Sequence, residues 1–266
     1  MNLHNKLGPQ IEEEVKKVSG SAGIVLRDLA DGECYSLGKS EVFPIASIIK
    51  LTILWELFAR IDRGEIQVSE KRQLLDSVKV GGFGILKNLD EGLDLTIHDL
   101  ATLMITLSDN VATNMLIDEL GMDSINKKVR ELGLIHTQLQ RKMMDSKAKE
   151  EGLDNFSSPE DVALILENYV NSDALSLASR QAMLEILKKQ QCNNKLPKLL
   201  PDDYIMAHKT GDLPGTEHDA GIFEFEGRKV IVVVLTKDLN NNEEGIILNN
   251  NIGKLVFTTF ASKIAS

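Results

Sequence analysis

Two stretches of the chain, one near each end, have the pattern of a β-hairpin. Near the N-terminus SAGIVLRDL and ECYSL flank the turn ADG, and near the C-terminus AGIFEFE and KVIVVVLT flank the turn GR. Apolar runs interrupted by turn-forming residues are typical of paired antiparallel strands. A helical pattern, IEEEVKKV, precedes the first hairpin, and apolar residues at helical spacing follow the second, at Ile252, Leu255, Val256 and Phe260. The pattern predicts a sheet flanked by terminal helices.

The long segment between the hairpins is predicted to be helical. Strong helical patterns cover residues 45–61, 97–107, 110–120, 123–132, 159–170 and 175–190. Signals of helix ends support several of these helices: a capping-box sequence at Thr96 and Asp99, Ser158 before Pro159, and glycines at 121 and 133. A helical insert between two hairpins predicts an α+β fold with an antiparallel sheet.

We expect two lobes. Residues 1–44 and 203–266 would together form the α/β lobe, with a five-stranded antiparallel sheet, and residues 45–202 the helical lobe. Because clefts between packed lobes commonly bind small molecules, the active site is expected in the cleft between them.

Composition restricts the possible partners. The 266 residues are 42% hydrophobic and carry a formal charge of −10, with acidic and basic residues mixed rather than grouped. No basic stripe suggests nucleic acid or anionic lipid, so we expect a small-molecule substrate. No run approaches the length of a membrane span and no signal peptide is evident, which predicts a cytoplasmic protein, with a secreted mature form as the alternative. We expect a monomer, with a dimer as the alternative.

The cysteines and histidines predict neither a disulfide nor a metal site. Cys34 and Cys192 are the only cysteines and lie far apart, so we expect reduced, buried thiols. His4, His98 and His136 have no ligand spacing. No cofactor is expected.

FPIASIIKLTILWELF, residues 43–58, places one hydroxyl and one amine in an apolar run. Ser47 and Lys50 are three residues apart and would share a face of a buried helix. Ser47 would lie in the first turn, where unpaired N–H groups and the helix dipole could stabilise an oxyanion, and burial would lower the pKa of Lys50 towards that of a base. Alternatively, Ser47 caps the helix and Lys50 reaches the surface, since Ser-x-x-Lys alone is a weak pattern.

Two further motifs favour the catalytic interpretation. In LSDN, residues 107–110, Asp109 could cap a helix while Ser108 and Asn110 face a cleft. In HKTGDLPGTEHDAGIF, residues 208–223, the triplet Lys-Thr-Gly starts the last hairpin, and its glycine would permit close approach of a backbone or ligand. The ordered set Ser-x-x-Lys, Ser-Asp-Asn and Lys-Thr-Gly is a specific signal for serine acyl transfer.

With these motifs the sequence resembles class A β-lactamases and related serine acyl-transfer enzymes. The resemblance runs from GIVLRDLADGECYSLGKSEVFPIASIIK through LATLMITLSDNVATNMLIDELG to KTGDLPGTEHDAGIF, which is nearly the whole chain. It implies that Ser47 is the acylated nucleophile and that Lys50 takes its proton. It also implies that Ser108 relays a proton to the leaving nitrogen, and that the backbone N–H groups of Ser47 and Asp212 form the oxyanion hole.

The same resemblance implies the contacts that hold a substrate. Asn110 would bond the amide side chain of the substrate, Lys209 and Thr210 would hold its carboxylate, and Gly211 would border it. We expect the side chain of Asp212, next to this anion site, to disfavour an anionic substrate.

One position departs from the family pattern. In RKMMDSKAKEEGLDNFSSPEDVA, Arg141 matches the family, but Met143 stands where class A β-lactamases carry the glutamate that activates the deacylating water. Methionine cannot act as a general base. Asp145, Glu150 or Glu151 could replace that glutamate, Lys50 could serve both steps, or the acyl-enzyme could persist.

We therefore expect a serine hydrolase of the class A β-lactamase type with slow deacylation. The alternatives are an esterase or peptidase acting on a non-lactam substrate, and a penicillin-binding sensor with little turnover. A Ser-His-Asp triad that uses His208 or His218 with Asp219 is disfavoured, because Lys50 already supplies a base and no Gly-x-Ser-x-Gly elbow is present. The glycine-rich segment 81–95 is expected at the rim of the cleft.

Overall fold

A five-stranded antiparallel sheet forms the centre of the structure, a computed structural model that describes residues 3–261. The strands are β1 (Ser21–Asp28), β2 (Cys34–Leu37), β7 (Ala207–Leu213), β8 (Thr216–Phe225) and β9 (Arg228–Lys237), in the spatial order β2-β1-β9-β8-β7. Every neighbouring pair is antiparallel. The predicted α+β fold with a five-stranded antiparallel sheet is confirmed.

Four short strands form two small sheets outside the main one. β3 (Phe43–Pro44) pairs with β6 (Phe156–Ser157), and β4 (Lys71–Gln73) pairs with β5 (Asp94–Thr96). The first pair connects the chain just before Ser47 to the loop that follows Met143.

Nine α-helices are described between residues 3 and 261. They are α1 (Leu3–Val15), α2 (Lys50–Asp62), α3 (Ile97–Thr106), α4 (Asn110–Leu120), α5 (Met122–Glu131), α6 (Ser146–Glu150), α7 (Pro159–Asn171), α8 (Leu177–Lys188) and α9 (Asn242–Ala261). The predicted capping box at Thr96 and Asp99 is present, and Ser158 caps α7 with Pro159 in the first turn. Local capping chemistry therefore fixes these helix ends.

The two faces of the sheet pack against different helices. Alternate residues of β1 and β9, such as Val25 and Val233, join the core formed with α2 to α5, α7 and α8. Their neighbours, such as Leu26 and Val232, join a second core with α1 and α9. The residues alternate because successive side chains of a strand point to opposite faces. Both faces of the sheet are thus covered by helices.

Three features differ from the expectations. Helix α1 begins at Leu3 rather than near residue 11, because Leu3, Leu7 and Ile11 are buried one turn apart although Pro9 interrupts the pattern. Helix α6 has no apolar face and was not predicted. Cys34 is exposed rather than buried, because it begins the edge strand β2, while Cys192 is partly buried; both are free thiols.

The division into lobes at residues 44 and 203 stays a prediction. Residues 1–2 and 262–266, which its ranges include, lie outside the described residues. No helix in the described part of the chain is both long and apolar enough to cross a bilayer.

Candidate active site

Ser47 lies in a tight turn that leads into the buried helix α2. Residues Ala46–Ile49 form a 3₁₀ turn, and α2 continues from Lys50, so the helix predicted from residue 45 starts with a tighter turn. Ala46 has a φ of 49°, in the left-handed region that residues other than glycine seldom adopt. The N–H groups at the start of such a turn have no intrahelical partner. Backbone donors are therefore available beside the Ser47 hydroxyl.

Strand β7 passes close to this turn because Gly211 has no side chain. A Cβ atom at Gly211 would lie 3.2 Å from both the Ala46 Cβ and the Ile45 carbonyl oxygen. This is the close backbone approach that the sequence predicted for the glycine of Lys-Thr-Gly. It brings the start of α2 to the edge of the sheet.

The Lys50 amine is fully buried and bonded to the Ser-Asp-Asn turn. Its Nζ donates to the Ser108 carbonyl oxygen at 2.7 Å, the Ser108 Oγ at 3.0 Å and the Asn110 Oδ1 at 3.1 Å. All three acceptors are uncharged oxygens. Lys50 therefore does not reach the surface, and the alternative reading of this residue is wrong.

A second buried amine meets the same serine from the sheet. Lys209 Nζ donates to Ser108 Oγ at 3.2 Å and to the Thr210 carbonyl oxygen at 2.8 Å. Ser108 Oγ thus joins the two amines, and its own O–H remains available to donate elsewhere. The structure brings Lys50, Ser108 and Lys209 into one hydrogen-bonded chain.

Burial and repulsion by a neighbouring ammonium lower the pKa values of these amines. Desolvation, followed by the positive charge of Lys209, holds the pKa of Lys50 well below its usual range. Desolvation lowers the pKa of Lys209 to about 8, although carboxylates that include Asp212 oppose the shift. A charged group buried without full compensation favours its neutral form. Lys50 is therefore the better candidate for a base, while Lys209, with a pKa of about 8, remains mostly charged near neutral pH.

Asp109 fixes the Ser-Asp-Asn turn to its surroundings. Its Oδ1 accepts from the Ala112 N–H at 3.0 Å as the predicted cap of α4, and its Oδ2 accepts from the N–H groups of Ile85 and Leu86 at 2.7 and 2.9 Å. Ser108 adopts a left-handed φ of 53° in this turn. Non-glycine residues in this conformation are held by their surroundings and often occur at functional sites.

A cavity of about 330 Å³ opens over Ser47. The residues that line it come from the 3₁₀ turn, the glycine-rich segment, α4, the segment 141–155 and β7: Ala46, Ser47, Gly82, Phe83, Asn110, Arg141, Met143, Met144, Asp145, Ser146, Lys149, Asp154, Asn155, Asp212 and Leu213. Gly82 and Phe83 place the start of the glycine-rich segment 81–95 at the cavity, whereas its later residues do not line it. The cavity is large enough for a small molecule.

The anion-binding residues predicted from Lys-Thr-Gly lie on β7 just before Asp212, which lines the cavity, and are not themselves among its lining residues. Thr210 is 1% exposed, and its Oγ1 has no hydrogen-bond partner among the described residues. A buried hydroxyl without a partner is costly unless a ligand satisfies it. Lys209 and Thr210 therefore offer one charged donor and one unpaired hydroxyl.

The segment that carries Met143 is held firmly. Asn114 accepts from the Met143 N–H at 2.8 Å and donates to the Met143 carbonyl oxygen at 3.1 Å, while Arg141 donates to Asp154 at 2.8 Å. The Met143 side chain is 8% exposed and lines the cavity. Position 143 thus faces the site in a fixed conformation with a side chain that cannot accept a proton.

Each carboxylate in the cavity wall already has a partner. Asp145 caps α6, Asp154 is paired with Arg141, and Asp212 is paired with Lys195. Glu150 and Glu151 are exposed and are not among the residues that line the cavity. Of the three carboxylates considered as replacements for the missing glutamate, only Asp145 borders the site.

The two histidines near β7 are hydrogen-bonded to groups outside the cavity. His208 Nδ1 lies 2.9 Å from Asp219 Oδ1, and its Nε2 lies 2.9 Å from Asn193 Oδ1. His218 donates from Nε2 to the Pro44 carbonyl oxygen at 2.8 Å, and burial lowers its pKa to about 4. Neither histidine lines the cavity that contains Ser47.

Two residues of the site were missed from the sequence. Asn114 follows Asn110 by four residues, so their shared helix face was a usable signal. Lys195 gave no such signal, because its partners Asp212 and Glu217 lie about twenty residues away in the chain and are brought together only by the β7–β8 pairing.

Comparison with known proteins agrees with this architecture. Residues 6–260 match the beta-lactamase enzyme family. A β-lactamase of Streptomyces lavendulae is 30% identical over 226 residues, which are 82% of this chain and 74% of that protein. The crystal structure of a β-lactamase from Sphaerobacter thermophilus superposes with a TM-score of 0.89, at 29% identity, over 96% of this chain and 97% of that one.

A second solved structure, that of PBP-A, is equally similar. It has a TM-score of 0.88 and 30% identity, with 98% of each chain covered. A mutant of PBP-A, with the same similarity values, was solved as an acyl-enzyme complex with penicillin-G. The match over nearly the whole length, together with the arrangement around Ser47, places this chain in the beta-lactamase enzyme family.

Proposed function

We propose that this chain is a serine hydrolase of the β-lactamase type, acylated at Ser47 by a β-lactam or a related amide or ester. The observation that carries the proposal is the buried chain of Lys50, Ser108 and Lys209 beside the cavity that contains Ser47. Nucleophile, base, proton relay and anion anchor are the groups that acyl transfer requires.

In the proposed acylation, the neutral Lys50 amine takes the Ser47 proton as Oγ attacks the acyl carbon. The N–H groups of Ser47 and Asp212 would stabilise the oxyanion, and donors placed in advance of the reaction can contribute several kcal/mol to such a step. Ser108 would then pass a proton to the leaving nitrogen. Its Oγ is suited to that role because it contacts both amines.

Substrate binding would use the two sides of the cavity. Lys209 and the unpartnered Thr210 hydroxyl would hold a carboxylate, with Gly211 beside them. Asn110 would bond the amide of the acyl side chain, whose remainder would contact Phe83 and Met144 at the rim. An apolar acyl group with one amide fits this wall.

We propose that deacylation is slow. A water that attacks the acyl-enzyme needs a base, position 143 carries methionine, and the carboxylates of the cavity wall are engaged with other groups. Lys50 is then the remaining base. The same observation favours a second candidate, a penicillin-binding protein with little turnover.

Intact-mass spectrometry tests the acylation. Benzylpenicillin should add the mass of one whole molecule, because opening the lactam ring releases no fragment, and Ser47→Ala should show no adduct. Ser157→Ala removes a hydroxyl outside the cavity wall and serves as the matched control. The absence of an adduct with any β-lactam or activated ester would contradict the proposal.

The lifetime of the adduct separates slow hydrolysis from simple binding. After removal of free penicillin, the adduct should decay over minutes or longer and release the hydrolysed acid. Steady turnover near the common enzyme rate of about 10 per second, without a burst, would contradict slow deacylation. An adduct that never decays would favour the binding protein.

A further inference from the structure

A fully buried lysine lies behind the strand that carries the anion site. The Lys195 side chain is 0% exposed, and its Nζ lies 2.7 Å from Asp212 Oδ1 and 2.6 Å from Glu217 Oε2. It also donates to the carbonyl oxygens of Gly211 and His218, each at 3.1 Å. Lys195 therefore has no free donor with which to contact a substrate directly.

The first of these partners stands next to the anion site. Asp212 and Thr210 lie on the same face of β7, because they are two residues apart in a strand, which separates them by about 7 Å. The Asp212 side chain is 31% exposed and lines the cavity. An unpaired carboxylate at this distance would repel an incoming anion.

We propose that Lys195 is a positioning residue that neutralises Asp212 and so allows the site formed by Lys209 and Thr210 to accept a substrate carboxylate. This inference rests on the proposed function for the identity of the site, but it concerns anion selectivity rather than acylation. Asp212 is then expected to disfavour an anionic substrate only when Lys195 is absent.

The charges of the cluster support this role. Burial raises the pKa of Asp212, but the Lys195 ammonium outweighs that effect and lowers it, so the carboxylate is ionised. Burial raises the pKa of Glu217, whose Oε1 also accepts from Asn242 Nδ2 at 2.7 Å. Of the two carboxylates beside Lys195, Asp212 is the one whose pKa is lowered. Asp212 raises the pKa of Lys209 and Lys195 lowers it, so both groups influence the charge of the anion-binding lysine.

The test measures noncovalent binding in a Ser47→Ala background, where acylation cannot contribute. Benzylpenicillin and its methyl ester are a matched pair, because they differ only at the carboxyl group, which is charged in the acid and capped by a methyl group in the ester. Isothermal titration calorimetry gives Kd for each compound with Lys195 intact and with Lys195→Met. Lys195→Met should weaken binding of the acid by about tenfold or more, and binding of the ester by less than about threefold.

Breaking a buried ion pair can be strongly destabilising. Two further variants therefore distinguish a loss of anion binding from misfolding. Asp212→Asn keeps the shape and leaves the positive charge of Lys195 without this carboxylate partner, so it should bind the acid more tightly than the parent and the ester about equally. Lys195→Met with Asp212→Asn should restore the acid to within about threefold of the parent. Circular dichroism of each variant confirms that it is folded.

The outcomes are decisive in both directions. Selective loss for the acid in Lys195→Met, with recovery in the double variant, supports the inference. Equal loss for acid and ester, no change in the acid with Asp212→Asn, or no binding of either compound to the Ser47→Ala protein overturns it. Failure of the proposed function would instead show as no adduct on the native chain, whatever the binding data are.

Discussion

At the residue scale, three buried lysines have different chemical environments. Lys50, Lys195 and Lys209 are each 0% exposed. The Lys50 amine meets only uncharged oxygens, whereas Lys195 lies between two carboxylates. Burial against neutral groups favours the free amine, and burial against carboxylates favours the ammonium. The same residue type can therefore supply a base at one position and a fixed positive charge at another.

The first residue-scale prediction is a pH profile. Acylation by benzylpenicillin should slow as the pH rises above about 8, because the ammonium of Lys209, whose pKa is lowered to about 8, loses its proton and its attraction for the carboxylate. The methyl ester carries no negative charge and should lack this alkaline decline. Stopped-flow acylation rates from pH 6 to about 10 measure both. An identical decline for acid and ester would contradict the role of Lys209 as an anion anchor.

The second residue-scale prediction concerns Met143. Met143→Glu should speed deacylation by about a hundredfold, within the usual range for a general base, because Asn114 holds the backbone of position 143 so that its side chain faces the cavity. Decay of the adduct by mass spectrometry measures the rate.

Met144→Glu is the matched control for that change. Met144 is adjacent and also lines the cavity, but it is 55% exposed, so its carboxylate would be solvated and less well aligned. It should leave the decay within about threefold of the parent. Equal acceleration by both variants would mean that any added negative charge suffices, and that position 143 has no special geometry.

Secondary-structure elements show which signals are local. Helices α3, α4 and α7 were predicted to within a residue or so, because their caps and apolar spacing lie within the segment itself. Helix α6 has only five residues and no apolar face, so nothing in its sequence distinguishes it from a loop. The left-handed conformations of Ala46 and Ser108 could not be predicted from the sequence either, because tertiary contacts impose them.

The caps of α4 and α6 give a prediction at this scale. Asp109→Ala should lower the free energy of unfolding by about 2–4 kcal/mol, because it removes a cap and also leaves the buried N–H groups of Ile85 and Leu86 unpaired. Asp145→Ala removes only the cap of a short exposed helix and should cost about 0.5–1 kcal/mol. Urea unfolding measures both. Equal costs would show that the contacts of Asp109 to the glycine-rich segment contribute nothing.

For the whole molecule, the sequence predicted the candidate catalytic groups but not the charge balance around them. Ser47, Lys50, Ser108, Lys209 and Thr210 occur in recognisable motifs, and the fold brings the motifs together. The neutralisation of Asp212 depends on a lysine from a loop and on the register of β7 with β8. Such a balance is a property of the assembled structure, since charges that interact need not be near each other in the chain.

The continuity of the core predicts how the molecule unfolds. Residues on one face of the sheet, including Val233, share a core with the helices around Trp55, while the other face, including Val232, packs under α1 and α9. Because the same strands serve both cores, neither should survive the loss of the other. Urea unfolding followed by fluorescence of Trp55, the only tryptophan, and by far-UV circular dichroism should therefore give coincident transitions.

A substitution remote from the fluorophore sharpens this test. Val232→Ala lies on the face of the sheet away from Trp55 and should lower the free energy of unfolding by about 2 kcal/mol through lost burial and a small cavity. If the molecule unfolds as one unit, the Trp55 transition shifts by the same amount as the circular dichroism transition. A Trp55 transition that stays in place while the circular dichroism transition moves would show that the helices around the active site unfold independently of the sheet.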